Sequence, residues 1–223
     1  MIVAIHQPNY LPWLGFFNKM AACDTFVILD NVQHSKSSIT NRNNIKTSQG
    51  EVKLTIPIKN KEKPINTLLI DEPAKNLLKH WRVIESNYSK ADHWKTYAEA
   101  LGNIYKTPYN LLADLNIDII TYLKNVLEIN CKLVIASDLQ NIDGVGSDRN
   151  LSICMALNAS SYLSGNGAKV YNDEESFSQA GIRLVYNNYS YKPYKQLWGE
   201  FIPNLAAIDA LFNIGPETKN LIQ

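Results

Sequence analysis

His6, Gln7, Asn9 and Tyr10 are crowded between an apolar run, Ile2-Val3-Ala4-Ile5, and Pro12, which opens a second apolar stretch. An imidazole, two amides and a phenol in so short a span could do acid–base and oxyanion chemistry. The imidazole takes or gives a proton near neutral pH, and the amides donate to a developing oxyanion. The structural alternative is a histidine that bonds its own loop carbonyl. Asp30 ends the next apolar run, Thr25-Phe26-Val27-Ile28-Leu29. If the two runs are neighbouring strands, Asp30 lands near His6, to orient the imidazole or to bind a ribose hydroxyl; capping its own loop is the alternative.

Anion binding has its own candidates. Asn41-Arg42 offers a bidentate guanidinium, and Lys36 a further cation. Lys79-His80-Trp81 lies on a helix, which makes His80 a second candidate base against the plainer reading of a helix-surface histidine. Ser164-Gly165-Asn166-Gly167 is a glycine turn whose backbone N–H groups could cradle a ligand. Tyr186, Tyr189, Tyr191 and Tyr194, with Gln196, could form a platform for a sugar or a base, or simply pack half-buried. His34 and His93 have no assigned role. The dinucleotide, P-loop, GxSxG and HExxH patterns are absent. The four histidines lack close ligand spacing, so no metal is expected. Cys23, Cys131 and Cys154 form no CxxC pair and read as buried reduced thiols.

These residues need a scaffold that brings strand ends together. The chain has 223 residues, 45% of them hydrophobic, enough for one domain (1–223) with a sizeable core. Net charge is only +1, with no block of like charges and hence no evident nucleic-acid patch. No window approaches the length of a membrane span and no signal sequence is recognisable, so a cytoplasmic protein is expected. Ile2–Ile5 and Thr25–Leu29 read as buried parallel strands joined by a helix from Pro12 to about Ala22. Asn44–Thr47 and Val52–Ile58 flank a hairpin turn, and Ile65–Ile70 can add a strand. Three apolar-periodic segments make residues 75–127 a helical insertion. From 131 to 190 the pattern is βαβαβ, with Ser147 as an N-cap. The expected fold is α/β: a mainly parallel, Rossmann-like sheet with flanking helices, a β-hairpin insertion and the helical insertion.

The run His6-Gln7-Pro8-Asn9-Tyr10-Leu11-Pro12-Trp13-Leu14-Gly15-Phe16-Phe17 resembles the opening signature of the WbqC-like protein family. Agreement continues at Asp24, Asp30, Asn41-Arg42, Lys79-His80-Trp81, Tyr162-Leu163-Ser164-Gly165, Tyr171, Tyr194 with Gln196, Ile208-Asp209, Leu211-Phe212-Asn213 and Gly215. Ala206-Ala207 stands where related chains often carry a serine. The resemblance implies a bacterial protein of O-antigen or other surface-polysaccharide (lipopolysaccharide) gene clusters, for which glycyl or related acyl transfer to an amino sugar has been proposed. A looser likeness in layout, with Trp13-Leu14-Gly15-Phe16 in place of the motif, is to the HxGH nucleotidylyltransferases, whose two histidines are missing here.

The combined expectation is an N-acyl or aminoacyl (glycyl) transferase acting on a nucleotide-linked amino sugar, with no required cofactor. His6 or His80 would be the base, oriented by Asp30. Backbone N–H groups near Trp13, with Gln7 or Asn41, would hold the oxyanion, and Arg42 and Lys36 the phosphate. The acyl donor would be a thioester, an aminoacyl-tRNA or an adenylate. Asn9, Tyr10, Ser164, Asn166, Tyr171, Tyr194 and Gln196 complete the expected substrate site. The alternatives are an adenylating, nucleotide-binding transferase and a non-enzymatic sugar-nucleotide binding module.

Overall fold

The computed structural model describes residues 1–35 and 39–223. Strand β1 (Ile2–His6), helix α1 (Leu14–Ala21) and strand β2 (Thr25–Ile28) open the chain. A hairpin, β3 (Arg42–Thr47) and β4 (Gly50–Thr55), and three helices, α2 (Pro73–Tyr88), α3 (Trp94–Lys106) and α4 (Leu112–Val126), come next. Strand β5 (Lys132–Ile135), α5 (Ser147–Ala156), β6 (Ser161–Gly165), α6 (Glu174–Gln179) and β7 (Arg183–Asn187) follow, and α7 (Ala207–Ile214) precedes a closing 3-10 turn. The five-stranded sheet runs β5-β2-β1-β6-β7 and every pair is parallel, as expected.

Alternation along β1 decides what each face meets. Val3 and Ile5 point, with Val27, into a core shared with Ile153 and Cys154 of α5 and Phe177 of α6. Ala4 points the other way, with Phe26 and Ile28, toward Phe16, Phe17 and Met20 of α1 and the apolar faces of the inserted helices. Phe16, Phe17 and Phe26 are essentially inaccessible; truncating any of them to alanine would cost about 3–5 kcal/mol. The chain leaves β1 toward β2 on one side and returns as β6 on the other. The winding therefore reverses between β1 and β6, and the crevice above their carboxyl ends is where such a sheet takes ligands.

Three local expectations are corrected. Ile65–Ile70 is not a ladder strand but a 3-10 turn over Ile65–Thr67 with single bridges at Leu69 and Ile70. Its backbone is spent on the entry to α4, through Leu112 N–H to Leu68 O and Ile70 N–H to Asn110 O, both at 2.9 Å. Ser147 is the first residue of α5 rather than its cap, because Gly146 at φ 57° makes the turn; its Oγ accepts Asp173 N–H at 2.9 Å and so ties α5 to α6. The hairpin starts at Arg42, two residues earlier than expected, because Arg42 pairs with Thr55. Among the described residues no helix is long and apolar enough to cross a membrane.

Candidate functional site

A crevice of about 470 Å³ opens at the reversal point, lined by His6 and Gln7 after β1, Asn9 in the following loop, Lys19 of α1, and Ser164, Gly165 and Gly167 after β6. A second lobe of about 280 Å³, between Trp13, Phe16, Asn187 and Tyr189, shares His6, Lys19, Gly165 and Gly167 with it. The loop that shapes both is held from several sides. Asn116 of α4 donates to Pro8 O at 2.8 Å and to Thr40 O at 2.7 Å. Leu11 takes a positive φ of 44° while fully buried. Ala207 N–H bonds Pro12 O at 2.8 Å. Trp13 lies across the start of α1, where a Cβ on Gly15 would stand 2.2 Å from the indole; the glycine at that position is thus a packing requirement.

Lys19 is the residue that sequence reasoning missed. Helical side chains lean toward the helix N-terminus, which here is the crevice end of the sheet. The four-carbon stem therefore carries the ammonium to Ile5 O at 2.8 Å, with the side chain only 4 % exposed. No carboxylate pairs with it among the described residues, and it is the one charged side chain along the described lining. Burial pulls its pKa down to about 8, against small opposing effects of Cys23 and Cys154. The available signal was the helix itself: Leu14-Gly15-Phe16-Phe17-Asn18-Lys19-Met20-Ala21 is apolar nearly all round, so a lysine inside it must be buried.

His6 sits beside this cation, edge-on to Phe16 at 4.9 Å between ring centroids. Its Nδ1 lies 3.0 Å from Gln7 O. A carbonyl can only accept, so Nδ1 carries the proton and Nε2 keeps its lone pair. Burial, then Lys19, lower the imidazole pKa to about 4, only partly offset by the Gln7 bond. His6 is therefore neutral at pH 7, with Nε2 bonded to no described residue. Asn9, 2 % exposed, has an Nδ2 with no hydrogen-bond partner among the described residues. An ammonium without a counter-charge, an amide donor without an acceptor and an imidazole lone pair together suit an anionic ligand with a proton to lose nearby.

The structure distributes the other expected residues unevenly. Gln7, Ser164 and Tyr171 line the main lobe, and Asn166 the smaller one. Asp30 does not reach His6: its carboxylate accepts Ser137 N–H at 2.9 Å and Ser137 O–H at 2.7 Å, closing the turn after β5. His80 and Tyr10 belong to a separate buried chain. His80 Nε2 donates to Thr55 O at 3.2 Å, so Nδ1 must accept from Tyr10 O–H at 2.8 Å, and Tyr105 O–H donates in turn to Tyr10 at 2.6 Å. Burial lowers the His80 pKa to about 4. Asn41 spends its amide on Ile56 O at 2.9 Å and lies with Arg42 at the start of the hairpin, away from the crevice lining. Lys36 lies outside the described residues.

Tyr194 and Gln196 serve a buried clamp. Tyr88 and Tyr194 donate to the two oxygens of Asp209, each at 2.7 Å. Lys46 gives its three protons to Gln196 Oε1 at 3.0 Å, Gly199 O at 3.3 Å and Glu200 O. Burial pushes the Asp209 carboxyl up, opposed by both phenols and by Lys46. Among the described residues no group of three or more His, Cys, Asp or Glu could hold a metal ion. All three thiols are buried and unpaired.

The model of the WbqC-like protein family matches residues 7–221, nearly the whole chain. The chain belongs to the WbqC-like protein family. A relative in Mycobacterium tuberculosis, the uncharacterised protein Rv1507c, is 38% identical over 228 residues, which covers 99% of this chain and 97% of the relative. No solved structure matches. The family match takes in the His6–Phe17 loop apart from His6 itself, together with Lys19, the glycine turn after β6 and the Asp209 clamp.

Proposed function

We propose that this WbqC-like protein is a transferase that holds a nucleotide-linked amino sugar in the β1/β6 crevice and moves an acyl or aminoacyl (glycyl) group onto its amine, in surface-polysaccharide or O-antigen synthesis. The observation that carries this reading is the ammonium of Lys19, without a counter-charge among the described residues and buried beside His6 Nε2, which bonds none of them, at the point where the winding reverses. Lys19 and the backbone turn at Gly165–Gly167 take the phosphates. The sugar amine attacks the carbonyl carbon of the activated donor, the N–C bond forms, and the thioester, ester or anhydride bond breaks to release its leaving group. His6 Nε2 accepts the amine proton, and Asn9 Nδ2 with Gln7 stabilises the oxyanion. A bound phosphate offsets Lys19 and raises the His6 pKa, so the base strengthens only when substrate is present. No cofactor is needed for this chemistry.

The test is incubation with sugar nucleotides bearing a free amine and with donors of each class, read by mass spectrometry. Acylated product from the wild type, and a rate lowered at least about 100-fold in His6→Ala, are expected. Equal rates in the two proteins would overturn the assignment of the base. Adenylyl transfer is the second reading, favoured by one observation: the first strand lies mid-sheet with the reversal beside it, as in nucleotide-binding sheets. Pyrophosphate released from ATP and magnesium before any acyl transfer would select it.

A further inference from the structure

The two lobes meet at His6, Lys19, Gly165 and Gly167 but differ in chemistry. The larger is lined by amides and hydroxyls together with the aliphatic side chains of Ile5, Leu29 and Ile39. The smaller has an aromatic wall: Trp13 packs 5.5 Å from Tyr189 and 5.6 Å from Tyr191, centroid to centroid, and the two tyrosines pack edge-to-face at 5.1 Å. Polar atoms around that wall are left open. The Tyr189 hydroxyl is buried with no partner. Asn166 and Asn187 donate through Nδ2 to Asn188 and Asn18, at 3.2 Å and 3.0 Å, while their Oδ1 atoms accept nothing among the described residues. An aromatic face bordered by free acceptors and a phenol matches a pyranose, which has an apolar C–H face and a rim of hydroxyl and amine donors. The space beside Gly165 and Gly167, which border both lobes, is open: a Cβ on either would meet nothing within 4 Å.

Building on the sugar-nucleotide reading above, we infer that the Trp13–Tyr189 lobe is the pyranose subsite. The nucleoside occupies the larger lobe and the diphosphate crosses between the lobes at Lys19. This arrangement leaves the sugar amine within reach of His6, which borders both lobes.

Calorimetric titration with UDP, dTDP and GDP, each beside its hexosamine-linked form, tests this in the wild type, Tyr189→Ala and Asn187→Ala. The wild type should bind one sugar nucleotide about tenfold more tightly than the matching diphosphate. Tyr189→Ala should erase that margin while holding diphosphate affinity within about twofold, which also shows that the crevice is still folded; Asn187→Ala should reduce the margin in part. A wild type that binds diphosphate and sugar nucleotide equally overturns the subsite alone. So does a Tyr189→Ala protein that loses affinity for both in parallel, which would place the nucleobase on the aromatic wall. A wild type that binds none of the six ligands overturns the subsite and the sugar-nucleotide reading together.

Discussion

Two lysines are buried among the described residues, and they are handled in opposite ways. Lys46 is 1 % exposed and every one of its ammonium protons meets an acceptor, and its charge opposes the upward push of burial on the Asp209 carboxyl. Lys19 is nearly as buried, yet among the described residues it meets a single carbonyl and no counter-charge. Around Lys46 the polar groups close on one another: Tyr88 accepts Lys46 N–H at 2.9 Å and donates to Asp209, and Gln196 bonds Ile202 through both ends of its amide. Around Lys19 an amide donor and an imidazole lone pair are left over. A buried polar network that is fully satisfied fixes a fold, whereas one left open carries a cost that only a ligand can remove. The difference separates the Asp209 clamp, which holds the C-terminal segment on the hairpin and α2, from the crevice.

The contrast is most exposed at Asp209. Asp209→Ala strips the acceptor from two buried phenols and the counter-charge from Lys46, and should lower stability by about 3–5 kcal/mol, read from the urea midpoint. An unchanged midpoint would mean that the clamp is not structural.

Acid compares the crevice with another closed network, the buried Tyr10–His80 chain. His6 and His80 have folded pKa values of about 4 against an unfolded value near 6.5. As pH falls from 6.5 to 4 the unfolded chain takes up protons that the fold refuses, so stability drops across that window and levels off below it. The loss is on the order of 3 kcal/mol at His80 and smaller at the half-buried His6. Ligand should separate the two histidines: NMR titration should show the His6 pKa rising on binding while that of His80 stays fixed. Parallel movement of both would undo the distinction between crevice and packing.

Lys19→Met should give the smallest effect on stability, within about 1 kcal/mol and favourable in sign, because it removes an uncompensated buried charge. Phosphate-bearing ligands should nonetheless bind about 10–100-fold more weakly. In the wild type the same binding should weaken as pH rises through about 8, where Lys19 loses its proton. A Lys19→Met protein that binds as well as the wild type would remove the basis for placing the anion there.

The sheet was readable because each strand is a short apolar run bounded by polar residues, and the first helix because proline and glycine punctuate its start. His6, Gln7 and Asn9 were readable as a group since one turn of loop holds them together. Lys19 stands among aromatic residues that dominate the helix; its burial follows from the apolar helix around it, but its lack of a counter-charge among the described residues does not. The clamp was not legible for another reason. Tyr194 and Gln196 look like surface recognition groups beside other tyrosines, and nothing local reveals that Asp209 reaches Tyr88 across 121 residues of chain. Sequence spacing locates polar groups; only the fold shows which of them have found each other. Asp30 illustrates the same limit, since its partner Ser137 lies 107 residues away.

The indole laid over Gly15 has an optical consequence. Of the four tryptophans, Trp81 and Trp94 stack on each other at 5.5 Å within the helical insertion, and Trp198 is anchored to Asn87 O at 3.1 Å on the exposed tail. Trp13 alone borders the crevice. Replacing the other three with phenylalanine leaves a single tryptophan, which can be excited apart from the twelve tyrosines and whose emission reports on that lobe, so occupancy can be followed in real time without attaching a label to any ligand.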